Sequence, residues 1–389
     1  MAHRLENHEA EARILWTRSN SEKFAGEPEL AVEYGDRSLA LAEQYDLREQ
    51  LAFTLNDLAG SLLMLGELDR SRDVLSRSNQ MWLESGNKPM LADNLQTQAS
   101  LSFWAGEYMQ AIDMAQESYQ IAQAIDNMWG QLSALMRLGL VSGELGRFEQ
   151  AVEEHEKCLQ IAREVGMHLP FMAVGSSLAL LYGSFGAVER AWKTIEQVQS
   201  LDRNQFRIYW PVVWAVSSRL HLWAGDLPAA RKASDRSYKD YQPVGAINIA
   251  DYVLIADAEA ALAEGRPDHA LELVNELLLI AEKAGRRVGL PEMHMFKALC
   301  FRAQGEIELA RASLLQARQE AEEIGSSRFL WRILLEQSRL EAAEGSATLA
   351  AEFGAEARNA VSAIIEKLED PELRQSFEEL PEVQEALAS

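Results

Sequence analysis

The chain has 389 residues, too many for one ordinary hydrophobic core, so two or three domains or an array of repeats is expected. With 48% hydrophobic and 25% charged residues and only 10 prolines, the composition is that of a soluble, helix-rich protein and excludes disorder over most of the length. The 60 acidic against 37 basic residues leave a net charge of -23, which repels a phosphate backbone and argues against nucleic acid as a partner.

Residues 1–16, MAHRLENHEAEARILW, lack the apolar centre of a signal peptide. No run approaches the roughly 20 apolar residues that cross a bilayer, so a cytoplasmic protein without membrane partners is expected. From Gly26 onward a grid appears. Glycines at 26, 66, 106, 146, 186, 225, 265, 305 and 345 stand 40 residues apart, with one interval of 39 between Gly186 and Gly225. Five residues after each glycine the side chain is small, from Ala31 and Ser71 to Ala350. Seven before it the side chain is again small, from Ser19 and Ala59 to Ser338. Small positions on both sides of a glycine turn let two helices cross closely as an antiparallel pair.

Residues 106–126, GEYMQAIDMAQESYQIAQAID, show the second helix of one such pair. Tyr108, Ile112, Ala115, Tyr119 and Ala122 recur at steps of three and four and line one face. Leu91, Leu95, Ala99 and Ser102 do the same for a first helix beginning near Pro89, and Gly106 allows the reversal. Pro89, Pro170, Pro211 and Pro291 fall where first helices should begin, and Pro28, Pro228 and Pro267 just after a turn glycine, all positions where a missing amide hydrogen costs nothing. The residue lost from the short interval is assigned to the loop near Asp202 to Asn204. After the ninth unit, Asp370 and Pro371 open one short helix and Pro381 another, with eight acidic residues between Glu366 and Glu385 keeping an outer face wet. The expected domains are a repeat array over 1–367 and capping helices over 368–389, since a terminal repeat would otherwise expose the face its neighbours bury.

The turn glycine, the large residue two later (Leu68, Tyr108, Phe148, Val188, Leu227, Ile307) and the alanine five later together resemble the tetratricopeptide repeat, with helices lengthened beyond its usual form. Second helices ending IAREVG, IAEKAG or EAEEIG resemble those in the sensor regions of bacterial signal-transduction ATPases and MalT-like transcription regulators. The resemblance implies an all-α, open, right-handed superhelical solenoid of about nine hairpins with a C-terminal cap. It also implies a non-catalytic interaction or sensor module in signalling, derived from the C-terminal part of a larger protein.

No glycine-rich loop with Lys and Ser or Thr is present, so the nucleotide-binding part of such ATPases is not in this sequence. The seven histidines never fall at metal-ligand spacing with cysteine or carboxylate, and Cys158 and Cys300 are too far apart to imply a disulfide framework or thiolate site. Abundant carboxylates on packed helices are no evidence of paired acid and base work, so no catalysis, cofactor or metal is expected. The formal alternative is a helical toroid enzyme.

In the family resembled, first helices line a concave groove. Counting back from the turn glycines places Arg13, Trp16, Asn20, Lys23, Phe24, Phe53, Asn56, Met64, Gln96, Phe103 and Trp104 at its N-terminal end, and Arg219 and Trp223 in the sixth unit. Met295, Arg302, Arg332 and Arg339 fall on the same rows near the C-terminus. Aromatic residues beside Arg and amides anchor a bound peptide well, because they bring large buried area at small entropy cost. The same rings would alternatively pack on one another as core. A protein or peptide partner in the groove is the first expectation; a small ligand around Trp104 and Trp223 is the second. Trp214, eleven before Gly225, is expected in the core, and Cys158 is expected to fill space.

Overall fold

A computed structural model describes residues 7–204, 206–242 and 247–389; His3 and the rest of the first six lie outside the described residues. Every regular element among the described residues is helical. Nine hairpins follow one another: α1 (His8–Ala25) with α2 (Pro28–Gln44), α3 (Arg48–Leu65) with α4 (Leu68–Ser85), α5 (Lys88–Trp104) with α6 (Tyr108–Ala124), α7 (Met128–Glu144) with α8 (Phe148–Glu164), α9 (His168–Ser184) with α10 (Val188–Gln199), α11 (Trp210–Trp223) with α12 (Leu227–Tyr241), α13 (Ile247–Ala263) with α14 (Pro267–Lys283), α15 (Leu290–Gln304) with α16 (Ile307–Ile324), and α17 (Leu330–Ala343) with α18 (Ala347–Ile365). Two short helices, α19 (Pro371–Glu378) and α20 (Pro381–Ala388), end the chain. No described helix is long and apolar enough to cross a membrane.

All nine grid glycines adopt the left-handed conformation, with φ from 72 to 89°. That region is nearly closed to side chains, which is why the reversals hold to one residue type. A second left-handed row lies twenty residues further on, between hairpins: Asp46, Gly86, Asp126, Gly166, Phe206, Gly285 and Gly325, with φ from 50 to 72°. Pro28, Pro89, Pro211, Pro228 and Pro291 take the first or second helical position.

The small columns are where the helices cross. Where one member is serine, its hydroxyl donates to the backbone carbonyl of the other: Ser19 to Ala31 (2.7 Å), Ser71 to Ala59 (3.1 Å), Ser218 to Ala230 (2.8 Å) and Ser338 to Ala350 (2.8 Å). A second crossing repeats the device with Ser38 to Ala12, Ser118 to Ala92 and Ser237 to Pro211. A hydroxyl satisfied this way lets two backbones approach without leaving a buried donor unpaired. Cys158 holds the corresponding place in α8, fully buried, and burial pushes its thiol up to about 12, so it fills space and stays protonated.

The chain divides into two compact units. The first spans residues 1–137 with 246–248 and 282–286; the second spans 138–245, 249–281 and 287–389. In the first, Leu55, Leu58 and Leu62 of α3 are at most 1% exposed and form the centre of a cluster with Val32, Leu75 and Leu101. Each such side chain contributes about 2 kcal/mol by burial. The 282–286 segment reaches the α3/α4 turn so closely that a Cβ on Gly66 would lie 2.4 Å from that of Ala284.

In the second unit, residues far apart in sequence close on one another. The Glu144 backbone carbonyl accepts the amides of Ser327 (2.8 Å) and Arg328 (3.2 Å), while its carboxylate takes the Ser326 hydroxyl and an Arg328 guanidinium N–H, both at 2.9 Å. The Glu149 carboxylate accepts the backbone amides of Glu369 and Asp370, and Arg190 pairs with Asp370 (2.6 Å) and Glu372 (2.7 Å). Phe185 packs between Phe148 and Phe377, with ring centroids 4.5 and 4.8 Å away. Asp370 caps α19 through the amides of Glu372 and Leu373, and α19 and α20 bury Leu373, Phe377, Val383 and Ala386.

Candidate functional site

The helices α1, α3 and α5 of the first unit pack in sequence, α1 on α3 and α3 on α5. Their shared face carries polar groups linked from helix to helix. The Asp57 carboxylate accepts the Trp16 indole N–H and the Asn20 amide, each at 2.7 Å from Oδ2. One helix further, Asn56 donates to Asp93 Oδ2 at 2.7 Å, and its own carbonyl oxygen accepts the Asn94 amide at 3.0 Å. Asn94 continues to Ser78 of α4 at 2.7 Å. Hydrogen bonds to charged groups contribute about 1.5–3 kcal/mol each, so the ladder ties three hairpins together as well as lining their face. Burial pushes the Asp93 carboxyl above its ordinary range, and the Asp57 charge adds to this; the Asn56 hydrogen bond and the Lys23 charge oppose it.

The aromatic side chains divide into two kinds. Phe53 sits between Trp16 (5.7 Å between centroids) and the buried Trp82 (5.1 Å, edge-on), and Phe103 is buried against Tyr108 with the Arg137 guanidinium 5.0 Å above its ring. These two belong mainly to the packing. Phe24 is 72% exposed, with the Lys23 ammonium 5.3 Å from its ring, and Trp16, Met64 and Trp104 are half-buried. The Arg286 guanidinium lies 4.8 Å from the Trp104 ring and donates to the Ile247 carbonyl at 2.8 Å. Arg13 is exposed and Gln96 half-buried on the same helices.

Arg219 and Trp223 lie in the second unit, where their environment is closed. Arg219 is 8% exposed and donates to Glu259 (2.8 Å) and Glu292 (2.9 Å) while stacking on Trp223, whose indole N–H also goes to Glu259 (2.9 Å). The cavity beside them, lined also by Phe148, Phe185, Arg328 and Trp331, holds about 20 Å³, room for one water molecule. Among the described residues no group of three or more His, Cys, Asp or Glu is placed to hold a metal ion.

The sequence reading passed over the carboxylates that complete both places. Asp93 and Glu292 stand thirteen residues before their turn glycines and Glu259 six before, on rows already counted. Selecting aromatic, amide and basic side chains on those rows dropped these acids, while Asp57, nine before Gly66, stood on a row outside the count.

Three solved structures share this architecture. A Rap protein complexed with competence and sporulation factor superposes with a TM-score of 0.67 at 12% identity, covering 92% of this chain and 99% of that one. The Rap conjugation gene regulator of plasmid pLS20, in complex with the Phr* peptide, gives 0.58 at 12% identity over 80% and 95%. The apo quorum sensor NprR from B. thuringiensis gives 0.53 at 12% identity over 88% and 99%. No curated protein matches the chain in sequence. The sequence pattern of the MalT-like TPR region matches residues 12–333, and with nine hairpins on a left-handed glycine grid the chain belongs to that tetratricopeptide-repeat family.

Proposed function

We propose that the protein is a non-catalytic signalling module that holds a peptide or protein segment on the shared face of α1, α3 and α5. The observation that carries this reading is the juxtaposition of Asn20, Asp57 and Asp93 with the accessible rings of Trp16 and Phe24. Amides and carboxylates repeated from helix to helix supply donors and acceptors to a bound backbone, and the rings supply apolar contact. The Rap structures with competence and sporulation factor and with the Phr* peptide support it, as folds of this kind holding peptides. With net charge -23 and two carboxylates on the face, a segment carrying a basic residue is favoured.

The test is selection of a random peptide library on the wild-type protein and on Asn20→Ala/Phe24→Ala, with helicity checked by circular dichroism. The expected result is a set of peptides, enriched in Lys or Arg, retained by the wild type alone. Identical sets on two equally helical proteins would remove the face from consideration. Failure of any peptide to bind, with a metabolite quenching Trp16 or Trp104 fluorescence instead, would favour a small ligand sensed by a region of a larger regulator.

A further inference from the structure

The 39-residue unit ends α10 early, at Gln199, and residues 200–206 lead to a single 3-10 turn, Arg207–Tyr209, before α11. Trp214 of α11 is expected from its register to be core. It is half-buried instead, and its ring carries two guanidinium groups: Arg236 of α12 at 4.0 Å from the centroid and Arg203 of the loop at 4.5 Å. Trp210 stacks alongside at 5.8 Å and Arg203 also lies 5.3 Å from its ring. Arg207 is exposed on the intervening turn, and Phe206, 37% exposed, takes the left-handed conformation that Gly or Asp holds at the other junctions.

Among the described residues, Arg203, Arg207 and Arg236 make no ion pair or hydrogen bond to a carboxylate, in a chain where acids outnumber bases by 60 to 37. The acids in reach are engaged or distant: Asp202 accepts the backbone and side-chain amides of Asn204 at 3.0 and 3.2 Å, and Asp240 acts on Arg236 only through its charge. Contact with the ring strips water from Arg236, and the Arg203 charge adds to this, so both make its charged form costlier. The cation–π contact places each guanidinium over the indole, and N–H groups that no carboxylate takes up are available for bidentate pairing. Carboxylates brought to these guanidinium groups would relieve their repulsion and use those donors.

We infer that the two arginines on Trp214, with Arg207 and Phe206 beside them, are a docking surface for a short acidic segment of a partner protein. An extended polyanion is a poor fit, since beyond these few cations it would run over a molecule of net charge -23 within a Debye length of about 8 Å. A short segment places its carboxylates on the cations and one apolar side chain on Phe206.

The probe is a fluorescein-labelled hexapeptide, Glu-Asp-Glu-Phe-Glu-Asp, followed by anisotropy against its amide counterpart, Gln-Asn-Gln-Phe-Gln-Asn. The wild type is expected to bind the acidic peptide saturably and at least tenfold more tightly than the amide. Arg203→Gln/Arg236→Gln should lose at least tenfold with unchanged helicity, and the Lys/Lys variant, which keeps charge but not the forked guanidinium donors, should fall between. Equal binding by wild type and the Gln variant, or no saturation to millimolar peptide, overturns the proposal. Displacement of the peptide by equimolar inorganic phosphate, or stronger binding to phosphatidylserine vesicles, overturns its assignment to a protein segment. Self-association in sedimentation that is lost in the Gln variant would make the occupant a second copy and overturn a different partner.

Discussion

The two units use the same rows of the repeat in opposite ways. In the first, the rows before the turn glycines carry Trp16, Asn20, Asn56 and Asp93, with Asp57 one position along from Asn56, and beside them Phe24 stays 72% exposed. In the second, the rows carry Arg219, Glu259 and Glu292, which satisfy one another, and Glu144 near a helix end closes on Arg328 and the 326–328 backbone. Paired charges of this kind add little net stability, but removing one partner strands the other. The comparison teaches that one repeat scaffold can carry a closed cluster of ion pairs in one unit and a hydrogen-bonded ladder with an exposed ring beside it in the other.

The largest expected effect breaks the closed side. Glu144→Ala leaves Arg328 without its carboxylate and Ser326 without its acceptor, and should cost about 3–5 kcal/mol in urea unfolding. A loss below about 1 kcal/mol, as for an exposed ion pair, would mean that this contact does not hold the second unit together. Next comes pH, which should move the two units in opposite directions. His155 is 2% exposed against Gly139, and burial pushes its imidazole down to about 4. The unfolded chain takes up that proton near 6.5, so stability is complete above pH 6.5 and falls toward pH 4, by about 3 kcal/mol at 1.36 kcal/mol per pH unit.

Asp93 has the reverse sign. Its carboxyl titrates above its unfolded value, so the folded state gains as pH falls through the raised value and the contribution is complete below the unfolded one. Hydrogen exchange of α8 and α5 amides between pH 7 and 4 reads the two separately; parallel loss of protection in both, beyond the intrinsic pH dependence, would cancel the distinction. The smallest effect on stability sharpens the open side. Phe24→Ala should change unfolding by less than about 0.5 kcal/mol, as for exposed side chains generally, while weakening any selected peptide at least fivefold. A large stability loss there would make Phe24 packing rather than contact surface.

Most of the fold was legible because it is periodic. Nine glycines, two small columns and the prolines each repeat, and each answers to a local requirement of backbone conformation or helix approach. The site was legible only in part. The spacing of Trp16 and Asn20 on α1 could be read, but Asp57 and Asp93 acquire their meaning from partners 37 to 41 residues away. The burial of Phe53 depends on Trp82 of the following helix, and the cover on Trp104 comes from Arg286, 182 positions along the chain. Contacts of that span leave no period to follow. Trp214 was assigned to the core by register alone, whereas it lies half-buried beneath two arginines that it meets only in three dimensions.

The single interval of 39 residues has one more consequence. An α-helix advances about 100° per residue, so a deletion inside a helix would turn every later side chain on that helix onto a different face. Here the irregularity falls where α10 has already ended and α11 has not begun, with a one-turn 3-10 helix between them. The connecting loop acts as a slipping clutch: it absorbs the missing residue, and the four glycine turns after it, from Gly225 to Gly345, keep their rhythm. Insertions and losses at such a joint alter one local surface and spare the phase of everything downstream, which makes the joint the place where a repeat array can vary without being rebuilt.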